Sequence, residues 1–200
     1  SSAASDVYKR QMMEIVYGIG LIVTNATPLG GYVEQYTNVS NGKFLGINYL
    51  IWIAIIVAAI TWFIFNMTRH GKYMYAIGGN PQAAEVAGVP VKATLILIYM
   101  KAAAMYGLAG FMLGAKAGGA SVQTGYGYEM EAIAACTIGG VSVTGGRGKV
   151  SSAIIGVAVF ELLKVALQYL GMNANAQYIA IGVVIFIAIS LDIRKYIARK

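Results

Sequence analysis

Charge is what this sequence has least of for its length. Only 12% of its 200 residues are Asp, Glu, Lys or Arg, against about 25% in an average soluble domain. So few charges cannot wet a globular surface, which excludes a soluble enzyme and a disordered regulator. A single cysteine, Cys136, excludes an intrachain disulfide. With one histidine, His70, it supplies no metal cluster, and no Ser, His and Asp constellation can be built for nucleophilic catalysis.

What is present in excess is apolar surface. Hydrophobic residues make up 58% of the chain, so its outside must largely face something other than water. An integral membrane protein satisfies this, and at about 20 residues per span the length holds roughly five or six crossings. The 15 basic against 8 acidic residues give a net charge of +7. The basic residues fall in short groups between apolar runs rather than on one face, which marks membrane topology and not a nucleic-acid partner.

The runs divide the chain. Residues 1–11 (SSAASDVYKRQ) form a polar leader, read as disordered and non-native, without the apolar core of a signal peptide. Residues 12–27 resemble the end of a helix whose beginning is missing, and carry Glu14. Pro28 to Gly46 reads as a loop. Ile47 to Met67 is 21 residues without a charge, and its eleven Leu, Ile, Val and Phe residues favour insertion by about 3–7 kcal/mol. Residues 93–115 are marginal, because Lys101 costs about 2.5–3.5 kcal/mol at the centre of a span. Residues 132–146 are uncharged but short and interrupted by Gly139 and Gly140. Residues 150–171 and 176–191 complete the set, with Asn173 to Asn175 as the turn between them. The predicted fold class is all-α: a polytopic transmembrane helical bundle with one Gly-rich broken or re-entrant segment and one short cytoplasmic helix.

Orientation follows from the basic groups. With Arg69, Lys72, Lys92, Arg147, Lys149, Arg194, Lys195, Arg199 and Lys200 on the cytoplasmic side, only Lys43 and Lys116 lie outside. The protein is then multi-pass with a cytoplasmic C-terminus, and parity requires residues 132–146 to cross the membrane. Non-helical backbone at that depth survives only against protein or a water-filled cavity. This segment is therefore either part of a substrate path or a helix thinned by glycine for close packing.

Residues 71–92 form the loop between the first two long spans. Within it Asn80 suits a helix cap, Pro81 the first helical position, and Gly88 the end. The result is a short rigid helix, either an ordinary loop helix or a lever. In the membrane segments, Lys101 lies about 12 Å into its span, and Glu161 and Lys164 share one helix face and can pair. Such intramembrane charges are candidates for function or for pairing within the bundle. Gly110, Gly114 and Gly118 predict a close helix contact.

The stretches AIGGNPQAAEVAGV and GYGYEMEAIAACTIGGVSVTGGRGKV resemble the permease subunits of bacterial ATP-binding-cassette sugar importers, a family serving ribose, arabinose, xylose and galactose. GGNPQAAEVAGV, YEMEAIAACTIGGVS and the ending LDIRKYIARK are most similar to the galactose and methyl-galactoside branch. The resemblance runs from about Met12 to Lys200 and implies that the chain is the C-terminal part of a longer permease. It further implies a bacterial inner-membrane location and a second permease copy as a homodimer partner. A cytoplasmic ATPase subunit, an extracytoplasmic sugar-binding protein and membrane lipid would be the other partners. Residues 79–88 would be the coupling helix, with Gly79, Asn80, Pro81, Ala84, Glu85 and Gly88 as the residues that couple it to the ATPase. Glu129, Glu131, Cys136, Gly139, Gly140 and Ser142 become candidates for the translocation path.

No cofactor is expected on this chain. The one phosphate-loop-like stretch fails, because Val143 stands where the first glycine belongs and Val150 where a hydroxyl is needed. ATP and magnesium are expected on the partner ATPase, and the chain itself is expected not to be an enzyme. The substrate is expected to be galactose or methyl-galactoside, with ribose or another pentose as the alternative. An ion-coupled secondary transporter is the more distant one.

Overall fold

The structure is a computed structural model that describes residues 3–143 and 145–197. Ser1, Ser2, Thr144 and residues 198–200 lie outside it, and with them Arg199 and Lys200 of the predicted cytoplasmic group. In chain order the helices are α1 (Ala3–Thr24), α2 (Glu34–Asn41), α3 (Tyr49–Met67), α4 (Arg69–Gly79), α5 (Pro81–Val86), α6 (Val91–Ala117), α7 (Tyr128–Ile138), α8 (Val150–Tyr169) and α9 (Ala174–Ile197). Among the described residues, four strands of two residues each, β1 (Leu29–Gly30), β2 (Lys43–Phe44), β3 (Ile47–Asn48) and β4 (Gly119–Ala120), pair antiparallel as β1 with β4 and β2 with β3.

Helices α3, α6 and α8 are long and apolar enough to cross a membrane. The most apolar stretches of α3 and α6 bury none of their residues within the chain. Apolar surface on this scale needs a non-aqueous neighbour. The fold is accordingly that of an all-α, multi-pass membrane protein.

Several boundaries differ from the sequence reading. The leader is not an unstructured stretch, since α1 begins at Ala3. No glycine or proline interrupts residues 3–17, and extending a helix costs far less than starting one. The helix stops at Thr24, where Asn25 and Ala26 turn left-handed with φ of 50° and 54°. The segment read as a loop over 28–46 contains α2 and two strands. The loop read over 71–92 contains a second helix, α4, beside the expected short one. Residues 132–146 do not form one broken helix: α7 begins earlier, at Tyr128, and ends before Gly139. Its eleven residues rise about 17 Å, short of an about 30 Å hydrocarbon core. The last helix starts at Ala174, where Asn173 Oδ1 accepts from the Ala176 amide at 2.8 Å.

The chain forms two compact units. The first holds residues 1–56 and 99–126. Here β1 pairs with β4 through Leu29 opposite Ala120 and Gly30 opposite Gly119. Tyr36 on α2 donates its hydroxyl to the Phe111 carbonyl at 2.7 Å and stacks edge-on with the Phe111 ring. A Cβ at Gly114 would lie 2.6 Å from the Tyr36 hydroxyl, whereas one at Gly110 would meet nothing within 4 Å. The glycine stripe predicted for helix contact thus receives a tyrosine at Gly114, whereas a Cβ at Gly110 or Gly118 would meet no described atom within 4 Å. Lys101 is half-buried on α6 and makes no ion pair with any described residue.

The second unit holds residues 57–98 and 127–200. Its core is Ala134 and Ala135 of α7, Phe160 of α8 and Ile181 of α9. Small residues let α7 and α8 approach backbone to backbone. A Cβ at Gly139 would strike the Ser152 carbonyl, and one at Gly156 the Ala135 carbonyl. Alanine at either position would push the helices apart.

Candidate functional site

The site is assembled in the second unit from α4, α5, α7, α8 and the loop 139–149. Its first part is the turn from α3 into α4. Thr68 Oγ1 accepts from the Gly71 amide at 3.1 Å and donates to the Ile64 carbonyl at 2.6 Å. A Cβ on Gly71 would collide with the Phe65 carbonyl, so the tight corner requires glycine there. Phe65 and Tyr75 stack edge-on across it, with ring centroids 5.8 Å apart.

Helix α5 follows α4 through one residue, Asn80. Its backbone amide closes α4 on the Ala76 carbonyl at 3.0 Å. Its side-chain oxygen accepts from the Gln82 and Ala83 amides, both at 3.0 Å, and starts α5. Pro81 takes the first helical position, where no amide is needed. The far end closes with Gly88 at φ 82°, its amide bound to the Glu85 carbonyl and that of Val89 to the Ala84 carbonyl. This is the doubly bonded left-handed cap that favours glycine. Ala84 is buried, whereas Pro81, Glu85 and Val86 are exposed, Val86 at 91%. A valine almost wholly out of contact on a capped six-residue helix is not predicted from the sequence. Its signal was an apolar residue two positions before the terminating glycine.

The second part is the loop 139–149, which lies against the end of α4. A Cβ on Gly78 would lie 2.6 Å from the Gly146 amide nitrogen, and one on Gly145 2.7 Å from the Gly78 carbonyl oxygen. Tyr75 donates its hydroxyl to the Gly148 carbonyl at 2.9 Å. The loop closes on itself through the Ser142 amide and the Arg147 carbonyl at 3.1 Å, and on α7 through the Val141 amide and the Cys136 carbonyl at 2.9 Å. Arg69 and Lys72 on α4 and Arg147 and Lys149 of the loop are all exposed. Between these elements is an open cleft of about 330 Å³, lined by Thr61, Phe65, Tyr75, Cys136, Ser142 and Val150 among others.

The third part is an ion pair between α7 and α8. Lys164 Nζ lies 2.8 Å from Glu131 and 3.5 Å from Glu161. The pairing expected within α8 is therefore the longer contact, and the shorter one joins two helices. Glu131 and Lys164 are 21% and 24% exposed and Glu161 is 58% exposed, so the inter-helix bond is the better shielded.

The six residues predicted for coupling, Gly79 to Gly88, fall together on α5 and its two ends. The six predicted for a path do not fall together. Cys136 and Ser142 line the cleft, Gly139 packs on α8, Glu131 is ion-paired, and Glu129 and Gly140 are exposed. Among the described residues no group of three or more His, Cys, Asp or Glu is placed to hold a metal ion.

The galactose/methyl galactoside import permease proteins of Haemophilus influenzae and Escherichia coli K12 are each 38% identical to the chain over 195 residues, covering 94% of it and 58% of themselves. The ribose import permease protein of Escherichia coli K12 is 34% identical over 188 residues, covering 92% of the chain and 59% of itself. The chain thus spans a little under three-fifths of the length of these relatives. No solved structure matches it. Residues 11–189 match the family described as "Branched-chain amino acid transport system / permease component", and the chain belongs to that family of membrane permeases.

Proposed function

We propose that the chain serves as part of the membrane-spanning permease of an ATP-binding-cassette importer that brings galactose or methyl galactoside into a bacterial cell. The observation that carries this is the 38% identity to galactose/methyl galactoside import permeases along 94% of the chain. In this reading the permease hydrolyses nothing. ATP and magnesium belong to a cytoplasmic ATPase partner, an extracytoplasmic binding protein delivers the sugar, and two permease copies pair within the lipid of the inner membrane.

Helix α5 is the proposed contact with the ATPase. A helix of six residues is too short to persist alone, yet this one is capped at both ends and projects the exposed Glu85 and Val86. Val86 would enter an apolar cleft of the ATPase, and Glu85 would set the polarity of its rim. The bonds at Asn80 and Gly88 make α5 move as one body when the ATPase closes. The proposed cytoplasmic side carries the exposed Arg69 and Lys72 of α4 and Arg147 and Lys149 of the loop that packs on α4. That grouping supports the inside-positive orientation and a cytoplasmic C-terminus. Residues 128–143 and 145–149, a short helix followed by non-helical backbone, support a re-entrant segment. Cys136 and Ser142 in the cleft are its best-placed path residues.

The test is ATP hydrolysis by the complete permease reconstituted with its ATPase and binding protein, with galactose or ribose added. Stimulation by galactose supports the reading. Stimulation by ribose alone would move the substrate to the second reading, which the 34% identity to a ribose import permease favours.

A further inference from the structure

At its C-terminal end α4 meets the loop 139–149 backbone to backbone. Gly78 and Gly79 cross Gly145 and Gly146, and a Cβ on Gly146 would lie 2.7 Å from the Gly79 amide nitrogen. Gly145 and Gly146 have φ of 92° and 70°, conformations that glycine alone adopts at little cost. Contacts through side chains absorb a displacement by changing rotamer. Two backbones in contact have no such slack, so moving one must move the other.

Its position matters as much as its stiffness. The crossing ends one residue before Asn80, the single link between α4 and α5. One helical turn earlier, the Tyr75 hydroxyl holds the Gly148 carbonyl at 2.9 Å. On its other side the loop runs into α8 at Val150, and α8 is locked to α7 by the backbone contacts at Gly139 and Gly156. Along the chain, α5 and α7 are separated by the whole of α6. Through the glycine crossing they are separated by one contact.

We propose that Gly78, Gly145, Gly146 and Tyr75 are positioning residues that pass a displacement of α5 directly to the α7–α8 pair. This rests on the reading of α5 as the ATPase contact. The glycine-rich stretch then has a mechanical task, conveying closure of the ATPase to the helix pair that carries Cys136 and the Glu131–Lys164 bond.

The test uses the complete permease with its ATPase and binding protein, and reads three quantities: co-purification of the ATPase, basal hydrolysis, and its stimulation by sugar-loaded binding protein. Gly78→Ala is expected to keep the ATPase bound and its basal rate, and to lose most of the stimulation. Tyr75→Phe, which removes one hydroxyl and no volume, is expected to lower stimulation by about threefold, the scale of one hydrogen bond. Tyr73→Phe is the matched control, since the Tyr73 hydroxyl makes no hydrogen bond with any described residue. Normal stimulation in Tyr75→Phe and Gly78→Ala overturns the proposal, and if Gly78→Ala does not assemble, Tyr75→Phe alone decides. Glu85→Lys separates this failure from that of the underlying reading. Loss of stimulation in Glu85→Lys alone rejects the glycine joint, whereas normal stimulation in Glu85→Lys rejects α5 as the ATPase contact.

Discussion

Replacing Lys164 by methionine should destabilise the permease far more than replacing Lys164 and Glu131 together. At 2.8 Å and an effective dielectric of about 20, the pair attracts by about 6 kcal/mol. Bringing the two charges out of water offsets much of that, so the intact pair contributes little net stability. Removing one partner is different, because Glu131, 21% exposed, is then left in a shielded place without the cation 2.8 Å away. The expected cost is about 3–5 kcal/mol. For a chain of this size each kcal/mol moves the melting temperature by about 2–4 °C, giving a fall of about 6–20 °C by the same scale. Lys164→Met with Glu131→Gln removes both charges and should melt within about 4 °C of the parent. Glu161→Gln should also stay within about 4 °C, because that carboxylate is 58% exposed and an exposed pair contributes under about 1 kcal/mol. Thermal melting of the detergent-solubilised permease, followed by loss of the monodisperse species, measures all of these. A single Lys164→Met variant that melts with the parent would refute the reasoning. So would a double variant as unstable as the single one.

Three further outcomes are expected. Glu85→Lys and Gly88→Val should abolish sugar uptake in the complete importer while leaving membrane insertion intact. The second places a branched side chain at φ 82°, at a cost of about 1–2 kcal/mol, and normal uptake with either would remove α5 from the coupling path. Lys101→Met should leave uptake close to normal, because the proposed substrate, a neutral sugar, needs no counter-charge; a loss of about tenfold or 1.4 kcal/mol would put Lys101 on the path. Tyr36→Phe removes the hydroxyl bond to the Phe111 carbonyl, worth about 0.5–1.5 kcal/mol. It should lower the melting temperature by about 1–6 °C, and an unchanged value would mean that the bond contributes nothing.

How far the fold could be read from the residues depends on how local the cause was. The apolar run of α3 and the ends of α5 were legible because each rests on neighbours in sequence: an uncharged stretch, Asn80 before Pro81, Gly88 after the last turn. Helix α4 was not, since RHGKYMYAIGG contains three glycines that argue against a helix. Two of them, Gly71 and Gly78, are required by backbone contacts from elsewhere. The partner of Lys164 was misjudged for the same reason. Glu161 is three residues away, whereas Glu131 is 33 away and joins only through the packing of α7 on α8. The crossing of Gly78 with Gly146 leaves no trace in hydropathy or charge, because the residues that make it possible have no side chains. The candidate path residues were drawn from one glycine-rich stretch, and packing then gave them different surroundings.

In the proposed function, ATP drives sugar entry through a permease built around this chain. The most direct measurement of this is labelled galactose uptake into proteoliposomes holding the complete permease, its ATPase and its binding protein, with ATP supplied to the ATPase side. Accumulation should require ATP and persist when ion gradients are collapsed. Accumulation that needs an ion gradient and proceeds without ATP would contradict the proposed function.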